Sequence, residues 1–213
     1  LQEQGMKVLT IVATVKHAKK AEASGADAIV AEGFEAAGIN SNLELTTFTL
    51  IPQIVDQVDI PVIAAGGIGD GRGLAAAFML GASGVQMGTR FIATKEAPFH
   101  ENYKNKILEA TDTSTQIIGR TVGKIRRVLT NEYAHKIKQF EKKGLTAEEF
   151  DKLTTEAQHI KGAIDGDFSE GFINGGQISG LIGSIPTVKQ LLEEMMQEAQ
   201  KQLTEVQKKF SSY

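Results

Sequence analysis

Four short apolar runs divide the first ninety residues: "VLTIVAT" (8–14), "AIVAEG" (28–33), "PVIAAGG" (61–67) and "GVQMGT" (84–89). Each is continuous rather than alternating and rich in small or β-branched residues, which is the composition of a strand covered on both faces of a sheet. Between them, "VKHAKKAEASGA" (15–26), "ELTTFTLIPQIVDQV" (44–58) and "DGRGLAAAFMLGA" (70–82) carry apolar residues at helical spacing. The first ends at Gly25, and the last opens on Asp70 as an N-cap. Strand and helix alternate, so parallel strands joined by helical crossovers are expected. A weak internal echo agrees: "ASGADAIVAEG" and "MLGASGVQMGT" share Gly-Ala, a strand and a terminal glycine. These constraints leave an α/β fold, either a (βα)8 barrel or a doubly wound sheet.

After Phe91 the pattern changes. "KNKILEATD", "GKIRRVLTNEYAHKIKQFEKKG" and "TAEEFDKLTTEAQHIKGAI" read as longer charged helices with no strand among them. A final amphipathic helix is expected to place Val188, Leu191, Leu192 and Met195 on one stripe. The expected organisation is an α/β part over 1–95, a helical insertion over 96–164, and a return segment with the C-terminal helix over 165–213.

Composition narrows the function classes. A net charge of -3 provides no overall positive field for nucleic acid. With no cysteine there is no disulfide, thiolate nucleophile or cysteine-held cluster, in keeping with a cytoplasmic location. No apolar run approaches the roughly 20 residues that span a bilayer, and no membrane partner is expected. The chain opens on Leu1 and enters a strand-like run by Val8, so an N-terminus further upstream is expected.

The glycines gather where strands end. In "VIAAGGIGDGRG" (62–73) the G-x-G-x-x-G spacing of a dinucleotide loop fails, because the last position falls on Arg72 or Leu74. Ligands of parallel α/β proteins bind beyond the C-terminal ends of the strands. Gly66 and Gly67 end one run, and Gly88 with Thr89 ends the next. Glycine lets backbone amides approach an anion, and a following helix N-terminus adds a favourable dipole. Two such loops form a phosphate cup of the kind that takes a mononucleotide such as FMN. The competing reading is that these glycines only permit tight turns.

Three segments, "AEGFEAAG", "IPVIAAGGIGDGRGLAAAFMLGASGVQMGTRFIATKEAPFHENYK" and "GGQISGLI", resemble in order and spacing the nitronate monooxygenase (2-nitropropane dioxygenase) family, which includes the enoyl-ACP reductase II enzymes. The resemblance spans nearly the whole chain. It implies an FMN-dependent TIM barrel with a helical insertion after the last strand. It also implies that Gly67, Gln86, Met87, Gly88 and Thr89 bind the FMN phosphate region, with Gly33 and Gly38 on the neighbouring loop. "NGGQISG" (174–180) would close over the flavin ring, with Gln177 close to it. The four strands correspond to the last four of such a barrel. The other half is therefore expected from the same protein or from another chain, and self-association stays open.

The resemblance breaks at one position. Family members commonly read "EAGGH" after strand six, whereas this chain reads "EAAGINSN", with Ile39 in place of the histidine. Isoleucine cannot move a proton. Asn40 and Ser41 are left as hydrogen-bonding groups that could orient a substrate oxygen, so no catalytic residue is assigned. Of the four histidines, His17, His135 and His159 read as solvated helix-surface residues and His100 as structural; none forms a metal-binding pair. Glu32 and Glu35 read either as ligands of ribityl hydroxyls or a cation, or as plain loop surface. "GRTVGKIRR" reads as a solvated helix face, or as a grip on a nicotinamide-cofactor phosphate or an acidic carrier protein.

The reading that follows is an FMN-dependent oxidoreductase acting on a small substrate, either nitronate monooxygenase-like or an NAD(P)H-dependent flavin oxidoreductase with NADH or NADPH as co-substrate. Its close alternative is enoyl-ACP reduction. An alternative of another class is a phosphate-ligand binding or assembly protein without turnover.

Overall fold

The computed structural model describes residues 2–211. In chain order its elements are β1 (Leu9–Val12), α1 (Val15–Ala23), β2 (Ala28–Glu32), β3 (Gly38–Ile39), α2 (Thr47–Val55), β4 (Val62–Ala65), α3 (Gly71–Met79) and β5 (Gly84–Gln86). There follow α4 (Thr89–Ile92), α5 (Glu101–Leu108), β6 (Thr115–Ile118), β7 (Arg126–Leu129), α6 (Glu132–Lys142), α7 (Ala147–Leu153), α8 (Glu156–Ala163) and α9 (Val188–Phe210). They form two compact units. The first holds the described residues of Leu1–Phe34, Leu43–Met87 and Lys189–Tyr213, and the second holds Glu35–Asn42 and Gly88–Val188.

The first unit is built on a four-stranded parallel sheet in the order β1-β2-β4-β5, as the four apolar runs require. Strand alternation sends Ile29, Ala31, Val62 and Ala64 toward the helices, where they pack with Ala18 of α1 and Leu50, Ile51 and Ile54 of α2. The expectation that both sheet faces are covered fails at β1. Its Leu9 and Ile11 are 51% and 58% exposed, and among the described residues β1 pairs with β2 alone. The helices start where small polar residues satisfy their first amides. Thr14 accepts from His17 N at 3.1 Å, and Asp70 accepts from Gly73 N at 3.0 Å.

α9 packs in this unit against the start of α3. Glu198 accepts the Gly71 amide at 2.7 Å, and a Cβ on Gly71 would lie 2.5–2.6 Å from Glu198 Cβ, Ala199 N and Met195 O. Glycine at 71 is thus a packing requirement. The buried stripe of α9 is Leu191, Met195 and Ala199, spaced by four; Leu192, expected on that stripe, is 47% exposed.

The second unit corrects the picture of a purely helical insertion. Within 96–164, β6 and β7 form an antiparallel pair, and β7 also pairs with β3 through Gly38↔Arg127 and Ile39↔Arg126. The run expected as one helix from Gly123 to Gly144 is a strand, then a helix. Val128 and Leu129 are fully buried, and the break falls at Asn131, whose side chain accepts from Ala134 N at 2.8 Å and starts α6. Likewise "TAEEFDKLTTEAQHIKGAI" is two helices, α7 and α8, separated at Thr154–Thr155; α7 opens with a capping box between Thr146 and Glu149. The compact units divide after Met87, where the sequence pattern puts its boundaries at 95 and 164, and the segment 165–188 belongs with the second unit.

Candidate functional site

The first unit presents the C-terminal ends of β2, β4 and β5 side by side. The register aligns Glu32 with Ala65, and Ala65 with Gln86. By alternation these three side chains share the sheet face opposite the helices, with the small alanine between a carboxyl and an amide. Gly33 donates its amide to Ala65 O at 2.9 Å, tying the end of β2 to the end of β4. Gly66 and Gly67 follow with φ of 95° and 71°, a left-handed pair that disfavours side chains. The Thr47 hydroxyl donates to Gly66 O at 3.0 Å and holds this turn on α2. Met87 packs on the core and Gln86 stays exposed. Glu32 is half-buried, and burial raises its carboxyl above the ordinary value.

The helix after this loop is not open to an anion, contrary to the expected dipole contribution. At the start of α3, the amides of Gly71 and Gly73 are already taken by the carboxylates of Glu198 and Asp70. The left-handed turn at Gly66–Gly67, ahead of that helix, is backbone of a kind suited to an anion.

In the second unit, Gly88 precedes the short helix α4. It is exposed, its φ is -104°, and nothing lies within 4 Å of where a Cβ would stand. Neither backbone conformation nor packing within the chain demands glycine there. Thr89 is only 4% exposed, and its hydroxyl oxygen accepts the Gly176 amide at 3.0 Å. Gln177 donates its amide to Glu35 O at 3.0 Å and leaves its side chain exposed. A Cβ on Gly176 would come within 2.9 Å of Glu35 O. Thr89, Gly176, Gln177 and the loop leading to Gly38 are therefore brought together, and a Cβ on Gly38 would lie 3.8 Å from the Asn174 side chain.

The segment 174–180 was expected at the site, but the contacts of Asn174 with Tyr103 and His159 were not. The buried Tyr103 hydroxyl donates to Asn174 O, and burial pushes that phenol far above its ordinary pKa. The Asn174 amide nitrogen lies 3.2 Å from His159 Nε2. His159 is not a solvated surface residue: it is half-buried, with its ring centroid 5.3 Å from that of Phe172. Burial first, then the Arg126 charge, lowers its pKa, with Glu156 acting the other way. Nothing near these residues in sequence announced this; the one signal was that "NGGQ" opens on Asn174. His100 is structural as expected, its Nδ1 accepting from Asn102 N at 3.1 Å. Asn40 is engaged by its own loop, its amide donating to Ala36 O at 2.9 Å. Ile39 is 73% exposed. Among the described residues no cluster of three potential metal ligands exists, and no helix is long and apolar enough to cross a membrane.

The model of the nitronate monooxygenase family matches residues 1–198. A probable nitronate monooxygenase of Staphylococcus saprophyticus is 39% identical over 150 residues, covering 66% of this chain and 42% of its own length. A hydroxy-methyl-oxo-octahydroindene-carboxyl-CoA dehydrogenase of Mycobacterium tuberculosis is 32% identical over 238 residues, covering 93% of this chain and 66% of its own length. The structure of FabK from Thermotoga maritima superposes with a TM-score of 0.88 at 40% identity, covering 97% of this chain and 65% of that one. The chain thus spans between 42% and 66% of the length of these relatives. Matched along nearly all of its length by one family model and by homologous sequences, the chain belongs to the nitronate monooxygenase family.

Proposed function

We propose that the chain is part of an FMN-dependent oxidoreductase that oxidises or reduces a small substrate. One observation carries this reading: Gly88, at the end of a parallel strand, is a glycine that the chain's own conformation and packing do not need. The open space in front of it suits a ligand that a Cβ would obstruct. The left-handed turn at Gly66–Gly67 adds a second strand end of the same kind. Gly66, Gly67, Gln86 and Met87, with Gly88 and Thr89 next along the chain, are the residues assigned to the phosphate region; Gly33, Gly38 and Gln177 are assigned to the remainder of the cofactor. FMN, when bound, supplies the electron transfer.

The chain's own residues do the rest. The Thr89 hydroxyl, with its oxygen committed to Gly176, has its proton left to donate to an oxyanion. Ile39 cannot transfer a proton, and Asn40 beside it is bonded into its own loop, which favours a substrate that arrives already ionised, such as an alkyl nitronate, over one that must first lose a proton. Enoyl-thioester reduction by NADH or NADPH is the second reading, supported by the likeness to FabK. In either case the exposed edge of β1 is continued by further strands of a (βα)8 barrel.

The test is a visible spectrum of the purified protein, followed by rapid mixing with NADH, NADPH and an alkyl nitronate separately. Flavin absorption with bleaching by the nitronate is expected. Absence of flavin together with failure to take up added FMN would overturn the cofactor reading; bleaching by a nicotinamide nucleotide alone would move the assignment to the second reading.

A further inference from the structure

β7 carries two consecutive arginines, and a strand sends neighbours to opposite faces. Arg127 is buried and donates to Thr115 Oγ1 at 3.3 Å. Arg126 is half-buried on the other side, its guanidinium 4.8 Å above the centre of the Phe172 ring. It stands in register with Ile39 and borders a cleft of about 460 Å³ that Ile39, Asn40, Asn42, Lys124 and Phe150 also line. Among the described residues no carboxylate lies within ion-pair distance of Arg126 and no hydrogen bond to its guanidinium is found. Burial lowers its pKa with no acidic neighbour to offset it.

The surrounding charges balance without it. Lys124 is paired with Asp151, which also lines the cleft. His159, held below its ordinary pKa, is neutral at pH 7 and adds no positive charge. One cation is therefore left uncompensated in a half-enclosed cleft, and such a charge costs free energy unless a counter-charge joins it. A guanidinium offers a planar fork of donors that matches two oxygens of one anion.

We propose that Arg126 is an oxyanion subsite beside position 39, which binds the nitronate, carboxylate or phosphate group of the substrate or co-substrate. The proposal rests on the oxidoreductase reading for its choice of ligands. It also revises the "GRTVGKIRR" run: its Arg126 belongs to a strand that borders a cleft and not to a solvated helix face.

The three ligands that the reading admits each carry such a group, so equilibrium binding of propyl-2-nitronate, NADPH and crotonyl-CoA separates them. Each is titrated calorimetrically into the FMN-loaded protein and into its Arg126→Gln and Arg126→Lys variants, with thermal melting and flavin content recorded for all three proteins. Arg126→Gln is expected to weaken one of the ligands by tenfold to hundredfold, on the order of a lost charge-assisted hydrogen bond, and Arg126→Lys to restore part of the loss. The affected ligand identifies the source of the oxyanion. A purely structural arginine, acting through Phe172, would lower the melting temperature of Arg126→Gln while leaving all three affinities alone, and that result overturns the proposal. So does failure of the parent protein to bind any of the three. Should the protein hold no FMN, the function reading fails, and the same titrations on the flavin-free protein still decide the subsite.

Discussion

At Gly88 and Gly67 the same residue type is used for different reasons, and substitution separates them. Gly88 has an ordinary φ and open space before it, so Gly88→Leu should leave the melting temperature nearly unchanged, within about 0.5 kcal/mol of stability, while FMN is lost on gel filtration. Full flavin retention in that variant would remove the phosphate from this strand end. Gly67 has φ 71°, so Gly67→Val should lose FMN and also cost about 1–3 kcal/mol of stability. His159 supplies a second residue-scale prediction. Its pKa lies below the 6.5 of an unperturbed imidazole, so the unfolded chain binds the proton more tightly than the folded one. This site's contribution is fully present above pH 6.5 and is lost as pH falls from 6.5 through the lowered folded value. Melting curves at successive pH values should therefore show a smaller acid-side drop for His159→Gln than for the parent; equal slopes would mean that the imidazole is not held neutral by its surroundings. The glycine pair was legible because left-handed turns after strands leave a compositional mark. The burial of His159 was not, because Phe172 and Asn174 reach it from a separate segment.

Among the elements, α3 and α9 are joined by a contact with no tolerance for a side chain. A methyl at Gly71 would meet backbone atoms of Met195 and Ala199, which cannot swing aside as a side-chain tip can. Gly71→Ala should cost about 1–3 kcal/mol, read as a drop of several degrees in melting temperature, whereas Glu198→Gln keeps an acceptor for the Gly71 amide and should cost less. The reverse ranking would mean that the carboxylate charge, and not the close approach, joins the two helices. The four parallel strands were legible because each is a continuous apolar run bounded by glycine or polar residues. β6 and β7 were not, because "TQII" is short and "RRVL" opens on two arginines that match an exposed helix equally well. What decides the matter is tertiary: Ile118, Val128 and Leu129 are fully buried, and Asn131 caps the helix that begins only at Glu132. A helical reading of the whole run ignores that cap.

For the whole molecule, the parallel sheet has an unsatisfied side. Helix-facing residues of β2 and β4 are buried against α1 and α2, while Leu9 and Ile11 project from β1 into solvent beside a strand edge with no partner among the described residues. An apolar edge strand is a template for further pairing. It is also where additional barrel strands would continue the sheet, and the relatives are substantially longer than this chain. These 213 residues expressed as they stand should therefore self-associate with increasing concentration through β1, and Leu9→Lys with Ile11→Lys should suppress that association in sedimentation velocity. The two lysines sit at the edge and face away from the Ile29–Ala64 core, so the melting temperature of the dispersed protein should hold. In a longer polypeptide that supplies the neighbouring strands, the same pair would bury two charges without partners, so folding and FMN retention should fail together. Sedimentation as a monomer at all concentrations before any substitution would show that this edge needs no partner, and the barrel proposal would lose its structural motive.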